Sequence, residues 1–308
     1  MWDIERHIYE WDITNERNMT LIASFPELST ISQIIQFENQ DILSLDAVSD
    51  VISFMHFQNR STEVLLCRDD GCCSEYGSER CYQAHSSNIH GITLNPQRSA
   101  SVYFSDKTAV KKFDITSSLI QPEVVVDLID HVDSFGKIET FIFSNDNSFI
   151  FIFWKATDGK ENFLYRYHVN NGTISGNFGM SVGLVQLSSP SDHIVLGLDD
   201  ANDQLIAVDF ESQSVSSLCR ENVVTMFPGY PNTHSLPKCT SQLNIDKFTQ
   251  DDDYIYTADE NNDIHIISNI KGLNFLFRLI WSIPSFHCYS NAYLVHTRVP
   301  CFKSGLIE

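Results

Sequence analysis

The stretch Tyr254–Ile267, YIYTADENNDIHII, sets out the unit of the chain: a short apolar run, an acidic turn and a returning apolar run. The same grammar recurs at Val102–Phe113, VYFSDKTAVKKF, and at Ile194–Val208, IVLGLDDANDQLIAV. Copies of one strand–turn–strand unit predict a repeat architecture. Nowhere does a dozen-residue segment keep apolar residues at i, i+3, i+4 and i+7 behind a cap, so the pattern predicts an all-β chain.

Taken in order, HIYEWDIT and MTLIASF read as a hairpin without inner partners. A second unit comprises Ile31–Phe37, Val51–Phe57 and Glu63–Cys67, followed by the cysteine-rich loop DDGCCSEYGSERC, whose turn formers predict no regular element. The third unit has four strand-like runs, HGITLNP, SVYFSD, AVKKFDIT and EVVVDLI. The fourth has ETFIFSND, SFIFIFWKA, NFLYRYHV and TISGNFG, with Asp158-Gly159 and Asn171-Gly172 as turn formers. GLVQLSS, HIVLGLDD, QLIAVDF and SVSSLC make a fifth unit; QLNIDKF, DYIYTAD, DIHIIS and LNFLFRLIW make a sixth, after a Pro- and Gly-bearing loop at Arg220–Lys238.

Four successive antiparallel strands are what one propeller blade requires. If IYEWDI, VLLC, VKKFDI, LYRYHV, LIAVDF and IHIISN are taken as third strands, six copies recur about 51 residues apart. Strand-like runs near Ser282–Tyr289 and Ala292–Val299 would then complete the N-terminal hairpin. The expectation is a single domain over residues 1–308: a six-bladed β-propeller whose N- and C-terminal strands share one blade, closing the ring and removing open sheet edges.

At VYFSD (Val102–Asp106) and IYTAD (Ile255–Asp259) the chain resembles the second strands of six-bladed propellers of the LDL-receptor YWTD and NHL-repeat groups. The likeness implies that Asp106 and Asp259 close turns and tie neighbouring blades, with Asp199 or Asp200 as counterpart in the fifth unit. In the second and fourth units no Asp is found at that place.

Composition narrows the partners. Asp and Glu number 40 against 20 Lys and Arg, a formal net charge of −20, which repels phosphate backbones and anionic membrane surfaces. Nucleic acid is excluded as the natural partner. No run of 18 apolar residues exists, so no membrane span is expected in this chain, and the start MWDIERHIYEWD does not read as a signal peptide.

Eight cysteines fall into three local groups: Cys67, Cys72, Cys73 and Cys81; Cys219 and Cys239; Cys288 and Cys301. An even count in close groups predicts disulfides, with Cys219–Cys239, Cys288–Cys301 and two bonds inside the first group. The first group's spacing, C-x4-CC-x7-C, fits no familiar zinc pattern, so disulfides rank ahead of metal. Sequons at Asn18, Asn59 and Asn171 agree with a secretory route and an extracellular or cell-surface location.

Reaction chemistry is harder to find. Asp199, Asp200 and Asp259, with Asn202, Asp251, Asp252, Asp253, Asn261 and Asp263, are oxygen donors of a kind that suits calcium, though clusters between strands of one blade are more simply turn formers. Calcium is the one candidate cofactor. No Gly-rich phosphate loop, G-x-S-x-G or H-E-x-x-H occurs, and the histidines have no sequence neighbours that argue a catalytic dyad. The sequence therefore predicts an extracellular protein-binding or adhesion module, a disulfide-pinned scaffold within a receptor, matrix or surface assembly. Arg68–Tyr82 and Arg220–Lys238 are the expected contact loops, with Tyr76 and Tyr230 as binding residues and another extracellular protein or a neighbouring domain of the chain as partner. The alternatives are a secreted calcium-dependent, lactonase-like hydrolase and a glycan-binding lectin.

Overall fold

A computed structural model describes residues 7–11, 19–24, 31–37, 39–68, 72–75, 77–84, 89–95, 98–131, 135–157, 161–189, 191–199, 201–202, 204–218, 223–226, 245–250, 254–259, 264–268 and 278–283. Strands β1 (His7–Trp11) and β2 (Met19–Ser24) form a hairpin. The next sheet holds β3 (Gln33–Gln36), β4 (Ile42–Asp46), β5 (Val51–His56) and β6 (Ser61–Cys67). After a helical turn, α1 (Cys72–Glu75), β7 (Tyr82–Gln83) joins that sheet parallel to β6.

Two four-stranded meanders follow: β8 (Ile89–Asn95), β9 (Arg98–Asp106), β10 (Ala109–Asp114) and β11 (Glu123–Asp127), then β12 (Gly136–Phe143), β13 (Phe149–Ala156), β14 (Asn162–His168) and β15 (Thr173–Met180). A five-stranded sheet comprises β16 (Leu184–Ser188), β17 (Ile194–Asp199), β18 (Gln204–Asp209), β19 (Ser214–Leu218) and β20 (Val223–Met226). The last comprises β21 (Ile245–Gln250), β22 (Tyr254–Asp259), β23 (Ile264–Ser268) and β24 (Arg278–Ile283). Among the described residues no helix is long and apolar enough to cross a membrane.

The structure corrects the strand order of the second unit. ILSLD at Ile42–Asp46 is a strand buried at all five positions, so it shows no alternation to betray it. It becomes the second strand, Val51–His56 the third, and the VLLC run the fourth rather than the third. Asp46 therefore ends the second strand, where the sequence reading found no Asp. It is fully buried and its Oδ1 accepts from the Val48 and Ser49 amides at 2.9 and 3.1 Å. The fourth unit does lack the Asp: β13 ends at Ala156. Three regular elements also stand where the sequence predicts none: α1, the two-residue β7 and β20. Ser282 and Ile283 end β24, and the remainder of the two C-terminal runs lies outside the described residues.

The sheets meet through their first strands, β3 against β8, β8 against β12, β12 against β16 and β16 against β21. Each meander thus has two ends. At one, the connecting end, lie the links between sheets and the turns from second to third strands; at the other, the hairpin end, lie the remaining turns. Turn residues tie neighbouring sheets at the connecting end. The Ile89 amide donates to Asp50 Oδ1 at 2.6 Å, and the Ile138 amide to the Lys107 carbonyl at 2.6 Å.

A second device repeats between first strands. Gln33 donates from Nε2 to the Ile92 carbonyl at 2.8 Å and accepts from its amide at 3.0 Å; Gln186 makes the same pair with Phe248 at 2.5 and 3.4 Å. The core sits between sheets. Along β13, Ile150, Ile152 and Trp154 pack toward β9, β11 and β12, whereas Phe151 and Phe153 pack toward the β16–β18 side. Period-two alternation is therefore kept, but both faces are apolar because each meets another sheet.

Candidate functional site

The segment after β6 begins at the connecting end and folds back along the outer edge of its own sheet, where Leu66 pairs with Tyr82 and Cys67 with Gln83. Short-range bonds hold it: the Ala84 amide donates to the Cys67 carbonyl at 2.8 Å, and the Ser78 amide to the Cys73 carbonyl at 3.1 Å. Two disulfides, Cys67–Cys72 and Cys73–Cys81, pin it further. Cys67 and Cys72 are buried beside Ile31, Ile42, Val51 and Met55.

Between this loop and the β10–β11 turn opens a polar cavity of about 350 Å³, bounded by Gly77–Arg80 on one side and Thr62, Glu63 and Ser118 on the other. Arg80 is its anchor. It pairs with both oxygens of Glu63 and donates to the Ile115 and Ser117 carbonyls at 2.6 and 3.2 Å, bolting the loop to the next sheet. His56 Nε2 meets Glu63 Oε1 at 3.2 Å. Burial works to raise the Glu63 pKa, but the Arg80 hydrogen bond and charge, with His56 behind them, outweigh it and hold the carboxyl below its ordinary value. The hydrogen bond to Glu63 raises Arg80 in turn. Arg80 lies in the expected contact loop Arg68–Tyr82, but nothing local in the sequence signals its pairing with Glu63, because the two lie 17 apart and meet only through the fold-back of the loop.

Of the sequence candidates for metal, Asp199 is buried with Oδ1 accepting from the Ala201 amide at 3.2 Å and Oδ2 from Asn202 Nδ2 at 2.5 Å, so two candidates are joined in one turn. Asp106 pairs with Lys111. Asp259 ends β22, and Asp200, Asp251, Asp252, Asp253, Asn261 and Asp263 lie outside the described residues. So do Tyr76, Tyr230, Asn18, Cys219, Cys239, Cys288 and Cys301.

Asn59 and Asn171 stand exposed in third-to-fourth-strand turns, both at the hairpin end. Each accepts from its own sequon hydroxyl at 2.8 Å, Ser61 and Thr173 respectively. Ser191, Asp192 and His193 share another turn there, but serine and aspartate both address His193 Nδ1, at 3.5 and 2.8 Å, which is no relay geometry.

The exposed apolar side chains favour the other end. Phe135 at 83% and Val48 at 75% are the most exposed large apolar residues among those described, and Ile129 at 56% shares the β11–β12 link with Phe135. Leu119 and Val124 lie toward the hairpin end.

No protein-family model and no curated protein matches this sequence. Solved structures do share its architecture. A chain of hydrazine synthase from Kuenenia stuttgartiensis aligns with a TM-score of 0.58 at 11% identity, covering 91% of this chain and 81% of that one. A virginiamycin B lyase from Staphylococcus aureus aligns at 0.51 and 10% identity, covering 89% and 77%. A chain of the mitotic checkpoint complex aligns at 0.51 and 9% identity, covering 89% and 82%. Identities this low establish fold alone. With its four- and five-stranded meanders meeting through first strands, the chain is an all-β protein of β-propeller-like fold.

Proposed function

We propose that the chain is an extracellular protein-binding module, a single six-bladed propeller domain within a larger protein, that docks through its connecting end. In this reading β1 and β2 share a blade with strands after β24, which closes the ring. Cys219–Cys239 and Cys288–Cys301 are disulfides, and Asn59 and Asn171 carry glycans. The observation that carries the reading is the opposition of the two ends: Phe135, Val48 and Ile129 stand bare at one, and both described sequons stand at the other. Glycans at the hairpin end would keep that surface in water, and bare apolar side chains at the connecting end suit association. The net charge of −20 selects a protein partner that rings its apolar contacts with Lys and Arg.

The test is photo-crosslinking of the glycosylated full-length protein at the cell surface, followed by affinity measurement with the captured partner. Phe135→Asp and Val48→Asp should each weaken binding at least about tenfold, the range of a minor hot spot. Leu119→Asp and Asn59→Gln should leave it unchanged. The opposite ranking would move the interface to the hairpin end and defeat the proposal.

A further inference from the structure

We propose that Cys67, Cys72, Cys73 and Cys81, once reduced, hold one zinc(II) ion as four thiolates. The inference concerns the reduced chain and is independent of the docking surface. Its ground is spatial convergence that the sequence spacing conceals. Cys67 Sγ lies 3.5 Å from Cys73 Sγ and 3.6 Å from Cys81 Sγ, so the two disulfides touch each other. The sulfurs of Cys67, Cys73 and Cys81 all fall within 4.8 Å of one another. A tetrahedral zinc with Zn–S bonds of about 2.3 Å needs sulfurs roughly 3.8 Å apart, which these separations between the pairs already approach. The Cys67–Cys72 and Cys73–Cys81 bonds must open, and Cys72 Sγ, bonded to Cys67 but outside that group of three, must swing in as the fourth ligand.

Strand pairing and a helical turn, besides the S–S bonds, bring the sulfurs together. Cys67 is fixed by the β5–β6 ladder and Cys81 sits beside the parallel β6–β7 pairing, while Cys72 and Cys73 are presented by α1. Parallel pairing of β7 to β6 places Cys81 next to Cys67 despite a sequence separation of 14. Zinc-ligand patterns legible in a sequence come from short knuckles, so this grouping escapes them. Four thiolates in a tetrahedron select zinc among common divalent cations, since hard cations prefer oxygen.

The chemistry balances with a dithiol reductant. Each disulfide accepts two electrons and two protons from one dithiol, which becomes a disulfide; four thiols result. Zinc then replaces up to four protons, released to solvent.

The full chain should be reduced with dithiothreitol, desalted without oxygen and titrated with zinc, with cobalt(II) as the spectroscopic probe. We expect one zinc per chain, a cobalt–thiolate charge-transfer band with intense tetrahedral ligand-field bands, and zinc-dependent protection of Cys67, Cys72, Cys73 and Cys81 from iodoacetamide in peptide mapping. Cys73→Ser and Cys81→Ser should each weaken zinc binding by more than the roughly 10–100-fold that losing an outer-shell partner costs. Circular dichroism of each variant in its oxidised and reduced forms separates ligand loss from unfolding. Absence of zinc-dependent protection at these four positions overturns the proposal, whether the reduced chain stays folded or not. So does stoichiometric binding that survives both substitutions, which would assign the metal to Cys219, Cys239, Cys288 or Cys301. Neither result bears on partner binding by the oxidised protein.

Discussion

The β12–β15 sheet and the β3–β7 sheet reach order by different means. In the first, the second strand is all but saturated with aromatic and aliphatic side chains, and Trp154, Phe151 and Phe153 are almost wholly inaccessible to water. Neighbouring sheets grip it from both sides, as in the edge-to-face contact of Tyr103 with Phe143 at 4.7 Å. The second sheet also has a buried core, but its outer edge is extended by a loop held through disulfides and the Arg80–Glu63 pair. Dispersion and water exclusion organise a strand that can be sandwiched; an edge facing water needs covalent and ionic ties.

The contrast predicts a ranking. Trp154→Ala should cost about 3–5 kcal/mol in denaturant unfolding, because the cavity between sheets cannot collapse. Gly136→Ala tests the same sheet from the backbone side: an added Cβ would stand 2.3 Å from the Lys155 carbonyl oxygen and 2.7 Å from Trp154 Nε1, so it must displace both. It should rival the tryptophan deletion. If either is neutral, apolar packing is not what anchors the β12–β15 sheet.

Next comes the covalent tie. Cys73→Ser paired with Cys81→Ser should cost the oxidised protein about 2–3 kcal/mol, as expected for a short closed loop. Proteolysis should show the damage confined to the loop after β6. Arg80→Ala should cost about 1–3 kcal/mol, since it strands a part-buried Glu63 carboxylate and two carbonyls. Amide exchange should quicken at Ile120, whose N–H donates to the Arg80 carbonyl at 3.1 Å.

The pH dependence sharpens the ionic part. Because the folded-state pKa of Glu63 is lowered, its stabilisation is present above the unfolded carboxyl value and lost as pH falls through the lowered folded value. Glu63→Gln should therefore remove part of the acid sensitivity of unfolding while leaving its alkaline side unchanged. An identical acid limb in both proteins would count against the pair. The smallest effect belongs to Asn59→Gln: at an exposed turn, stability should change by no more than about 0.5 kcal/mol.

Most individual strands were legible because alternation and turn formers are written locally. VYFSDKTAVKKF is found as β9 and β10, joined through the register Ala109 to Asp106. Ile42–Asp46 escaped for the complementary reason: with both faces buried, a five-residue run has no polar side to mark its period. Missing it displaced the count of that sheet by one and hid Asp46. Asp199 was visible as an acidic turn residue, whereas the Gln33 and Gln186 bonds, spanning 59 and 62 residues, left no mark in either local segment.

By itself, then, the sequence determined an all-β chain of recurring antiparallel units with acidic turns, since strand period and turn chemistry depend on residues a few positions apart. It also set the acidity that selects among partners. Only the tertiary structure decided which strands share a sheet, which aspartates tie sheets together and which sulfurs and charges meet behind β6. Those choices depend on contacts between distant segments, where one register and one loop path exclude the others because the buried backbone groups and apolar faces must all be satisfied at once.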